Sequence, residues 1–306
     1  MQNETVVEVL IIGGGPAGLS CGLSLGRMSR TALICDDGRP RNAASSHANN
    51  FATRDGVHPA KWRELAREDL SKYKTVSLRN TGVKTVDKSG EKFKATLNDG
   101  SVVHVKRIVL AYGIADVLPE IPGFKENWGH LIYHCPFCHG YEAKGQKLAY
   151  FAQGPMFFHA LPLVRSLTED LIFLTNADIE LTADQLKSLE KNQIKIERAK
   201  VAKIEKSETG KLVIHFEEGA KLERDGAFAA SLLPLQMKSN VGALLGCKKN
   251  DFGLYEVDLR GQTSVPGVFA AGDNSGMNQS VIGAAAMGNF VGAQLVFDLI
   301  NSSDKH

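Results

Sequence analysis

The chain has 306 residues, 43% of them hydrophobic, with 36 Lys and Arg against 34 Asp and Glu for a formal charge of +2. The length exceeds one average domain, so two domains of roughly 150 residues are expected, each able to bury a full core. A nearly neutral chain with no dense Lys/Arg block lacks the electrostatic footprint for nucleic acid or an acidic membrane, which leaves a small molecule or another protein as partner.

The N-terminus carries Glu4 and Glu8 rather than a basic region, and the apolar run over 9–12 is too short for a signal sequence, so the expected location is cytoplasmic. Residues 8–12 are expected to form a buried strand that runs into Gly13-Gly14-Gly15-Pro16-Ala17-Gly18 and a helix over 19–28. In this G-x-G-x-x-G pattern Gly13 makes the tight turn, Gly15 lets a pyrophosphate approach the backbone, and Gly18 lets helix and strand pack closely. The helix N-terminus then faces the phosphates. A second strand over 31–35 ends at Asp36-Asp37, at the offset of about 20 residues where an acid meets a ribose hydroxyl. The glycines alone are weak evidence; with strand, helix and acid in place a bound dinucleotide is the expectation.

The polar stretch 38–53, with Arg39, Arg41, Asn42, His47, Asn49 and Asn50, reads as a solvated loop or as a cover over the nucleotide; we take the second. Trp62, Leu65, Ala66, Leu70 and Tyr73 recur near helical spacing and mark a core face. Short strands follow over 75–78, 83–87, 93–97 and 102–106, with hairpin chemistry at Ser89-Gly90 and Asn98-Asp99-Gly100. Another strand over 108–111 stops at Tyr112-Gly113. Leu118-Pro119-Glu120-Ile121-Pro122-Gly123 can continue neither a helix nor a central strand and is expected to be an interdomain link.

Beyond it lies His134-Cys135-Pro136-Phe137-Cys138-His139-Gly140. Two cysteines so spaced can close a disulfide within one helical turn, and a helix N-terminus favours the thiolate. The motif is a candidate redox switch. A Cys-x-x-Cys can equally be half of a zinc site, but zinc wants four ligands, Cys21, Cys35 and Cys247 offer no second pair, and His134 with His139 is spaced too tightly to aim all four at one metal. Redox is favoured, with zinc as the alternative. A second strand-turn-helix covers 147–158 around Gly154; a strand over 171–174, a helix over 182–191, a strand over 194–196 and a hairpin around Gly210 follow, and 228–233 leads through Pro234 back to the first domain. Near the end a strand closes on Gly272-Asp273, and Asn278-Gln279-Ser280 opens an Ala- and Gly-rich helix. A carboxylate there suits a cofactor's hydroxyls and pyrophosphate, although an Asp after Gly is commonly only a cap. The apolar stretch 281–300, interrupted by Asn289, Gln294 and Asp298, is expected to be a core helix and not a membrane span.

Together these pieces resemble the low-molecular-weight thioredoxin reductase family of flavin disulfide reductases. The resemblance spans nearly the whole chain and rests on the ordered set Gly13-x-Gly15-Pro16-Ala17-Gly18, Ala111-Tyr112-Gly113, Cys135-x-x-Cys138 and Gly272-Asp273. It implies an α/β fold of two Rossmann-like, three-layer nucleotide-binding domains, the second inserted into the first. An FAD-binding domain over 1–117 and 235–306 would enclose a domain over 118–234 that binds NADPH in relatives, in a homodimer. By the same resemblance Gly13, Gly15, Pro16, Ala17, Gly18 and Asp36 hold the ADP half of FAD. Asp37, Arg41, Asn42, His47, Asn50, Val83, Ala111, Tyr112 and Gly113 join the cofactor set, and Gly272, Asp273, Gln279 and Ser280 line the ribityl chain and flavin edge. Cys138 would exchange electrons with the flavin and Cys135 would meet the substrate's sulfur.

The chain departs from that family in three places. His139 stands where many relatives have Asp, with His134 across the motif; a histidine can still move the proton that thiol-disulfide exchange requires. Cys-Pro-Phe-Cys-His-Gly-Tyr is similar to the form in flavin dithiol oxidases of the gliotoxin and holomycin type. In the second glycine pattern Ala152 replaces the first glycine, Gly154 is kept, and Phe157 stands where a tiny residue permits close packing. After the strand at 171–174, where relatives offer His-Arg-Arg to a 2′-phosphate, stands Thr175-Asn176-Ala177-Asp178, and Asp178 and Glu180 repel phosphate. Losing two charge-assisted contacts of roughly 1.5–3 kcal/mol each weakens binding by orders of magnitude, so ordinary NADPH binding is not expected. The expected protein is an FAD-dependent dithiol/disulfide oxidoreductase without a metal, acting on a thiol or disulfide of a small molecule or a thioredoxin-like protein. The alternatives are a thioredoxin reductase fed by NADPH or ferredoxin and, from another class, a non-catalytic FAD-binding redox sensor.

Overall fold

Val9 and Ile11 pack to one side of the first strand, Leu10 and Ile12 to the other, and all four are buried. A strand apolar on both faces has to be covered on both. In the computed structural model, which describes residues 4–152, 157–177, 179–230 and 235–303, that strand is the centre of the larger sheet. Gly154, Asp178, Pro234 and the side chain of Phe157 lie outside the described residues.

Along the chain come β1 (Glu4–Ile12), α1 (Pro16–Arg27), β2 (Ala32–Cys35), α2 (Pro59–Ser71), β3 (Val76–Arg79), β4 (Val83–Ser89), β5 (Lys92–Leu97), β6 (Val102–Leu110) and β7 (Ile114–Ala115). Then follow α3 (Phe124–Asn127), β8 (Ile132–Tyr133), α4 (Pro136–Ala143), β9 (Leu148–Phe151), α5 (Phe157–Arg165), β10 (Leu171–Leu174), α6 (Ala183–Lys191), β11 (Lys195–Glu197), β12 (Val201–Lys206), β13 (Leu212–Phe216), β14 (Lys221–Arg224) and β15 (Gly226–Ala229). The chain closes with β16 (Gln236–Met237), α7 (Val241–Leu244), β17 (Val268–Ala270) and α8 (Val281–Ser303). The two strands expected over 102–106 and 108–111 are one, because β6 holds a single parallel register against β1 from Glu4–Val102 to Ile12–Leu110.

The chain divides into two compact units, one of Met1–Ala43, Pro59–Ala115 and Pro234–His306, the other of Ala44–His58 and Asp116–Leu233. The sequence reading put 1–117 and 235–306 in one domain and 118–234 in the other; here Ala44–His58 goes with the second unit, where Ser45 and Asn49 hydrogen-bond α4. In the first unit the sheet runs β3-β2-β1-β6-β5-β4, with β17 also on β6. β6 forks, pairing antiparallel with β5 through its first half and parallel with β17 through its second. Helical residues of α1, α2 and α8, among them Ala17, Leu25, Leu70 and Leu295, cover the Val9 and Ile11 face. The opposite face is closed mostly by strand and loop residues, Val86, Phe93, Leu97 and Tyr255, with Val241 of the short α7 beside them.

The contact between α1 and α8 has no room for side chains. A Cβ on Gly288 would run into the carbonyl of Ala17, and one on Gly292 would lie 2.8 Å from the Cys21 carbonyl oxygen. Ser24 and Asn289 fasten the pair, since the Asn289 amide donates to Ser24 Oγ at 2.8 Å and Ser24 donates to the Asn289 carbonyl at 3.2 Å. α8 is long and apolar enough to cross a membrane by length and composition, but Val291, Leu295, Val296 and Leu299 sit in the same core as α1.

The second unit holds a parallel sheet β11-β10-β9-β15-β8 and an antiparallel one, β12-β13-β14. The segment expected as an interdomain link is docked within this unit. Leu118 and Ile121 pack beside Phe124 and Ile214, the Pro122 carbonyl accepts from Ile204 N–H at 2.8 Å, and Gly123, at φ +83°, has no space for a Cβ against the Ile204 carbonyl. From the α1–α8 contact we expect Gly288→Ala to cost about 1–3 kcal/mol, the usual range for overpacking a close contact. Urea unfolding checks this, and an unchanged midpoint would refute the backbone contact.

Candidate active site

The parallel strands of the first unit end together, and the sequence spends its small residues there. Gly13 adopts φ +113° and donates its N–H to the Cys35 carbonyl at 2.7 Å, and a Cβ on it would strike the Ala111 carbonyl. Only glycine closes that turn. Gly15 is the N-cap of α1 and has open space where its side chain would be, with Pro16 at the first helical position; Pro suits that position because the N–H it lacks has no partner there. Gly18 packs its Cα against the Gly13 carbonyl, and Gly272, at φ +89°, lies where a Cβ would come 2.9 Å from that of Ala17. Ala111 and Ala271 donate to the carbonyls of Ile12 and Leu110, so the ends of β1, β6 and β17 are stitched together.

Polar groups ring this edge. Arg41 donates to Gln279 Oε1 at 2.8 Å and to Asp273 at 3.2 Å, and Ser280 Oγ accepts the Gly283 N–H at 3.0 Å in the first turn of α8. Asn42 lies half-buried in the short 3-10 turn Arg41–Ala44. Tyr112 hydroxyl is 2.8 Å from that of Tyr255 and accepts from Gly242 N–H at 3.3 Å, while Gly113 turns away at φ +68°. Asp36 binds Arg67 at 2.6 Å and takes the Gly38 N–H at 3.3 Å. Asp37 is exposed and held by Arg39 at 2.5 Å. Beside Asp36 is a pocket of about 400 Å³ lined also by Arg63, Arg67 and Asn80. Burial pulls the Arg63 guanidinium below its ordinary pKa, against the field of Asp36. Val83 opens β4 opposite Leu97, three residues beyond Asn80. Arg63 and Arg67, one turn apart on α2, were missed in the sequence, where they look like ordinary solvent-side charges.

The second constellation is the N-terminus of α4. Cys135 is its N-cap, Pro136 its first residue, and Cys135 and Cys138 form a disulfide with Cα atoms 5.2 Å apart. The backbone N–H of His139 reaches the Cys135 carbonyl at 3.2 Å, which fixes the histidine one turn after that cysteine. Its ring stacks on Tyr133 at 4.6 Å and 17°. Burial pulls its pKa below the ordinary histidine value, with nearby His47 acting the same way and Glu142 opposing. His134 lies beside the Trp128 ring at 6.0 Å. The other thiols differ: burial pushes Cys21 and Cys35 up to about 12 and raises Cys247, which leaves them protonated and unreactive. Among the described residues there is no group of three or more potential metal ligands.

His47 and Asn50 were expected as part of a cover over the nucleotide. They belong to the second unit, because Ser45 Oγ lies 3.3 Å from His139 Nε2 and Asn49 donates to the Cys138 carbonyl at 2.8 Å, which holds this loop to α4. His47 is exposed, and Asn50, at φ +64°, uses its N–H to bind Asp55 at 2.7 Å as a turn residue. Sequence reading also missed Ser45 and took Asn49 only as part of the nucleotide cover; nothing local links either to a motif some ninety positions away. In the second glycine pattern Ala152 is buried and donates to Leu174. After β10, Thr175 is buried and hydrogen-bonded to Glu197, and Asn176 Oδ1 accepts from Val201 N–H at 2.8 Å.

The family of pyridine nucleotide-disulphide oxidoreductases matches residues 7–150 and 164–288. The chain belongs to that family. Among the relatives of this oxidoreductase, thioredoxin reductase tcpT of Claviceps purpurea is 31% identical over 98% of the chain and 97% of its own length. Thioredoxin reductase aclD of Aspergillus oryzae is 32% identical over 95% and 97%. Of solved structures, that of HlmI superposes with a TM-score of 0.90 at 31% identity, covering 98% of this chain and 95% of that one. An oxidoreductase from Agrobacterium tumefaciens superposes at 0.89 with 30% identity, covering 97% and 99%. The enzyme is thus a thioredoxin reductase-like flavin disulfide oxidoreductase of mixed α/β, Rossmann-like fold, and its family implies FAD. Given the Arg41 contacts, we expect Arg41→Ala to raise the FAD dissociation constant about tenfold or more, since one charge-assisted hydrogen bond contributes roughly 1.5–3 kcal/mol. Fluorescence titration of the apoprotein with FAD measures it; unchanged affinity removes Arg41 from the site.

Proposed function

We propose that this oxidoreductase exchanges electrons between thiol substrates and the Cys135–Cys138 pair, with FAD as the two-electron partner and without ordinary NADPH binding. The observation that carries the reading is the disulfide at the N-terminus of α4 with half-buried His139 one turn on. A substrate thiol gives its proton to His139, and the thiolate attacks Cys135 Sγ. The Cys135–Cys138 bond breaks, and Cys138 leaves as a thiolate stabilised by the helix N-terminus. The substrate's second thiolate then displaces Cys135, which releases a substrate disulfide and leaves the pair reduced. His134 stands by as a second protic group.

The first unit's residues fit FAD. The unobstructed backbone at Gly15, the first-turn N–H groups of α1, which a helix leaves without intrahelical partners, and the pocket beside Asp36 suit a pyrophosphate and a ribose. Asp36, with one oxygen on Arg67 and one on Gly38, keeps lone pairs for a hydroxyl. Gly13, Pro16, Ala17, Gly18, Ala111, Tyr112 and Gly113 shape that cradle, and Gly272, Asp273, Gln279 and Ser280 its far end. When bound, FAD supplies the acceptor for the electron pair held by the two thiols. The lack of a cationic side chain at Thr175–Ala177, with Thr175 and Asn176 tied to their own unit, supports the loss of ordinary NADPH use. The printed names of tcpT and aclD favour a thioredoxin-like protein as a second class of substrate.

The assembly we propose is a homodimer, supported by Ile282, Phe290, Phe297 and Ile300, which form an exposed stripe on one side of α8, Phe297 being 64% exposed. We place the enzyme in the cytoplasm, where three unpaired buried cysteines stay reduced; cell fractionation tests this, and recovery from an oxidising compartment counts against it.

In an anaerobic titration, dithiols bleach the flavin, micromolar NADPH and NADH leave it oxidised, and Cys135→Ser loses the dithiol response. Rapid, saturable reduction by NADPH overturns the cofactor part, and a Cys135→Ser enzyme that still responds overturns the cysteine part. Sedimentation should find a dimer that Phe297→Glu converts to monomer; a monomeric wild type removes the dimer.

A further inference from the structure

Arg63 and Arg67 stand one turn apart on α2, and both line the pocket beside Asp36 within the first unit. Arg67 is already engaged, with its Nη2 on Asp36 Oδ2 at 2.6 Å. Arg63 is half-buried, and its guanidinium makes no hydrogen bond or ion pair with any described residue. Burial is the largest influence on it, Arg67 adds repulsion, and only Asp36 opposes them. A guanidinium carries five N–H donors and no acceptor, and a charge drawn partly out of water without a partner is costly. An acceptor brought by a ligand removes that cost.

What the ligand must offer follows from Asp36. A Cβ on Gly14 would lie 2.7 Å from the Asp36 carboxylate, so the acid overhangs the glycine turn between β1 and α1. Its Oδ2 meets Arg67 and its Oδ1 takes the Gly38 N–H at 3.3 Å. The pocket thus sets an acceptor at the end of β2 against a donor on α2. A hydroxyl satisfies both, since it gives its proton to the carboxylate and takes one from the guanidinium. A phosphate satisfies Arg63 alone and is repelled by Asp36. The other acids of the pocket, Asp37 and Glu64, are taken up by Arg39 and Lys61.

We propose that Arg63 is a cofactor-binding residue that donates to a ribose hydroxyl at the adenosine end of FAD, opposite Asp36, and so selects a free diol there against a deoxygenated or phosphorylated ribose. The proposal rests on the assignment of FAD to the first unit. It puts recognition of the nucleotide on α2 as well as on the strand ends, with Arg63 touching the ligand and Arg67 touching Asp36.

The test is competition binding to the full-length apoprotein, read by FAD fluorescence, with ADP, 2′-deoxy-ADP, 3′-deoxy-ADP and 2′-phospho-ADP as competitors. Wild type should bind ADP more tightly than 2′-phospho-ADP and more tightly than at least one deoxy form. Arg63→Ala should weaken FAD and ADP about ten- to a hundredfold, the range of one hydrogen bond to a charged group. It should leave that deoxy form nearly unchanged, because the hydroxyl and its donor are two halves of one contact. Equal binding of ADP and both deoxy forms by the wild type overturns the proposal whether or not the variant folds. So does an Arg63→Ala protein that keeps wild-type affinity for ADP, or one that loses ADP and both deoxy forms by the same factor. Tighter binding of 2′-phospho-ADP shows a phosphate site and overturns it too. In each of these cases FAD still binds and its assignment stands; a wild-type apoprotein that does not bind FAD removes the assignment, and the role of Arg63 with it.

Discussion

The first unit depends on bare backbone meeting bare backbone. Gly18 lets α1 settle on the turn after β1, and Gly288 and Gly292 let α8 settle on α1, so three elements pack at distances that no side chain permits. Dispersion at such short range is favourable for many atom pairs at once, and any added methyl removes it. The same approach fixes the edge proposed for the cofactor: Gly272 comes against Ala17, and Ser280 starts α8 beside Arg41, Asp273 and Gln279. The helix pair therefore serves the site as well as the core, because moving α8 would move one wall of the cradle relative to the other.

The second unit holds the disulfide that we propose to be reactive at the start of a helix. Pro136 begins α4 and Cys135 caps it, which puts both sulfurs at the positive end of a helix. His139 is held by stacking, burial and the loop over 44–58, not by charge. Cys21 and Cys35, with thiols pushed up to about 12, show what the same side chain becomes when burial acts without a helix end.

Much of this could be read from residue order, for physical reasons that are local. The strand-turn-helix at Gly13–Gly18 is encoded within a dozen residues, and so is the disulfide, since three positions of separation set its geometry. The fused strand β6 was split because Lys106 and Arg107 interrupt its apolar run, yet its ladder with β1 continues past them. The assignment of 44–58 was harder. Whether Ser45, His47 and Asn49 attend a nucleotide or a cysteine helix depends on hydrogen bonds to residues about ninety positions away, which no periodicity reports. Arg67 was overlooked for a related reason: its partner Asp36 lies 31 residues earlier, across the sheet edge.

The first unit is assembled from chain segments at both ends of the sequence, and α8, its last helix, covers α1, its first. A ribosome releases these pieces in an order opposite to their need. Residues 116–233 can close their own parallel sheet while synthesis continues, whereas β1 and α1 keep an apolar flank open until Val291, Leu295 and Leu299 emerge. A chain that stops short of Val291, Leu295 and Leu299 would leave the flank of α1 that they cover open to water.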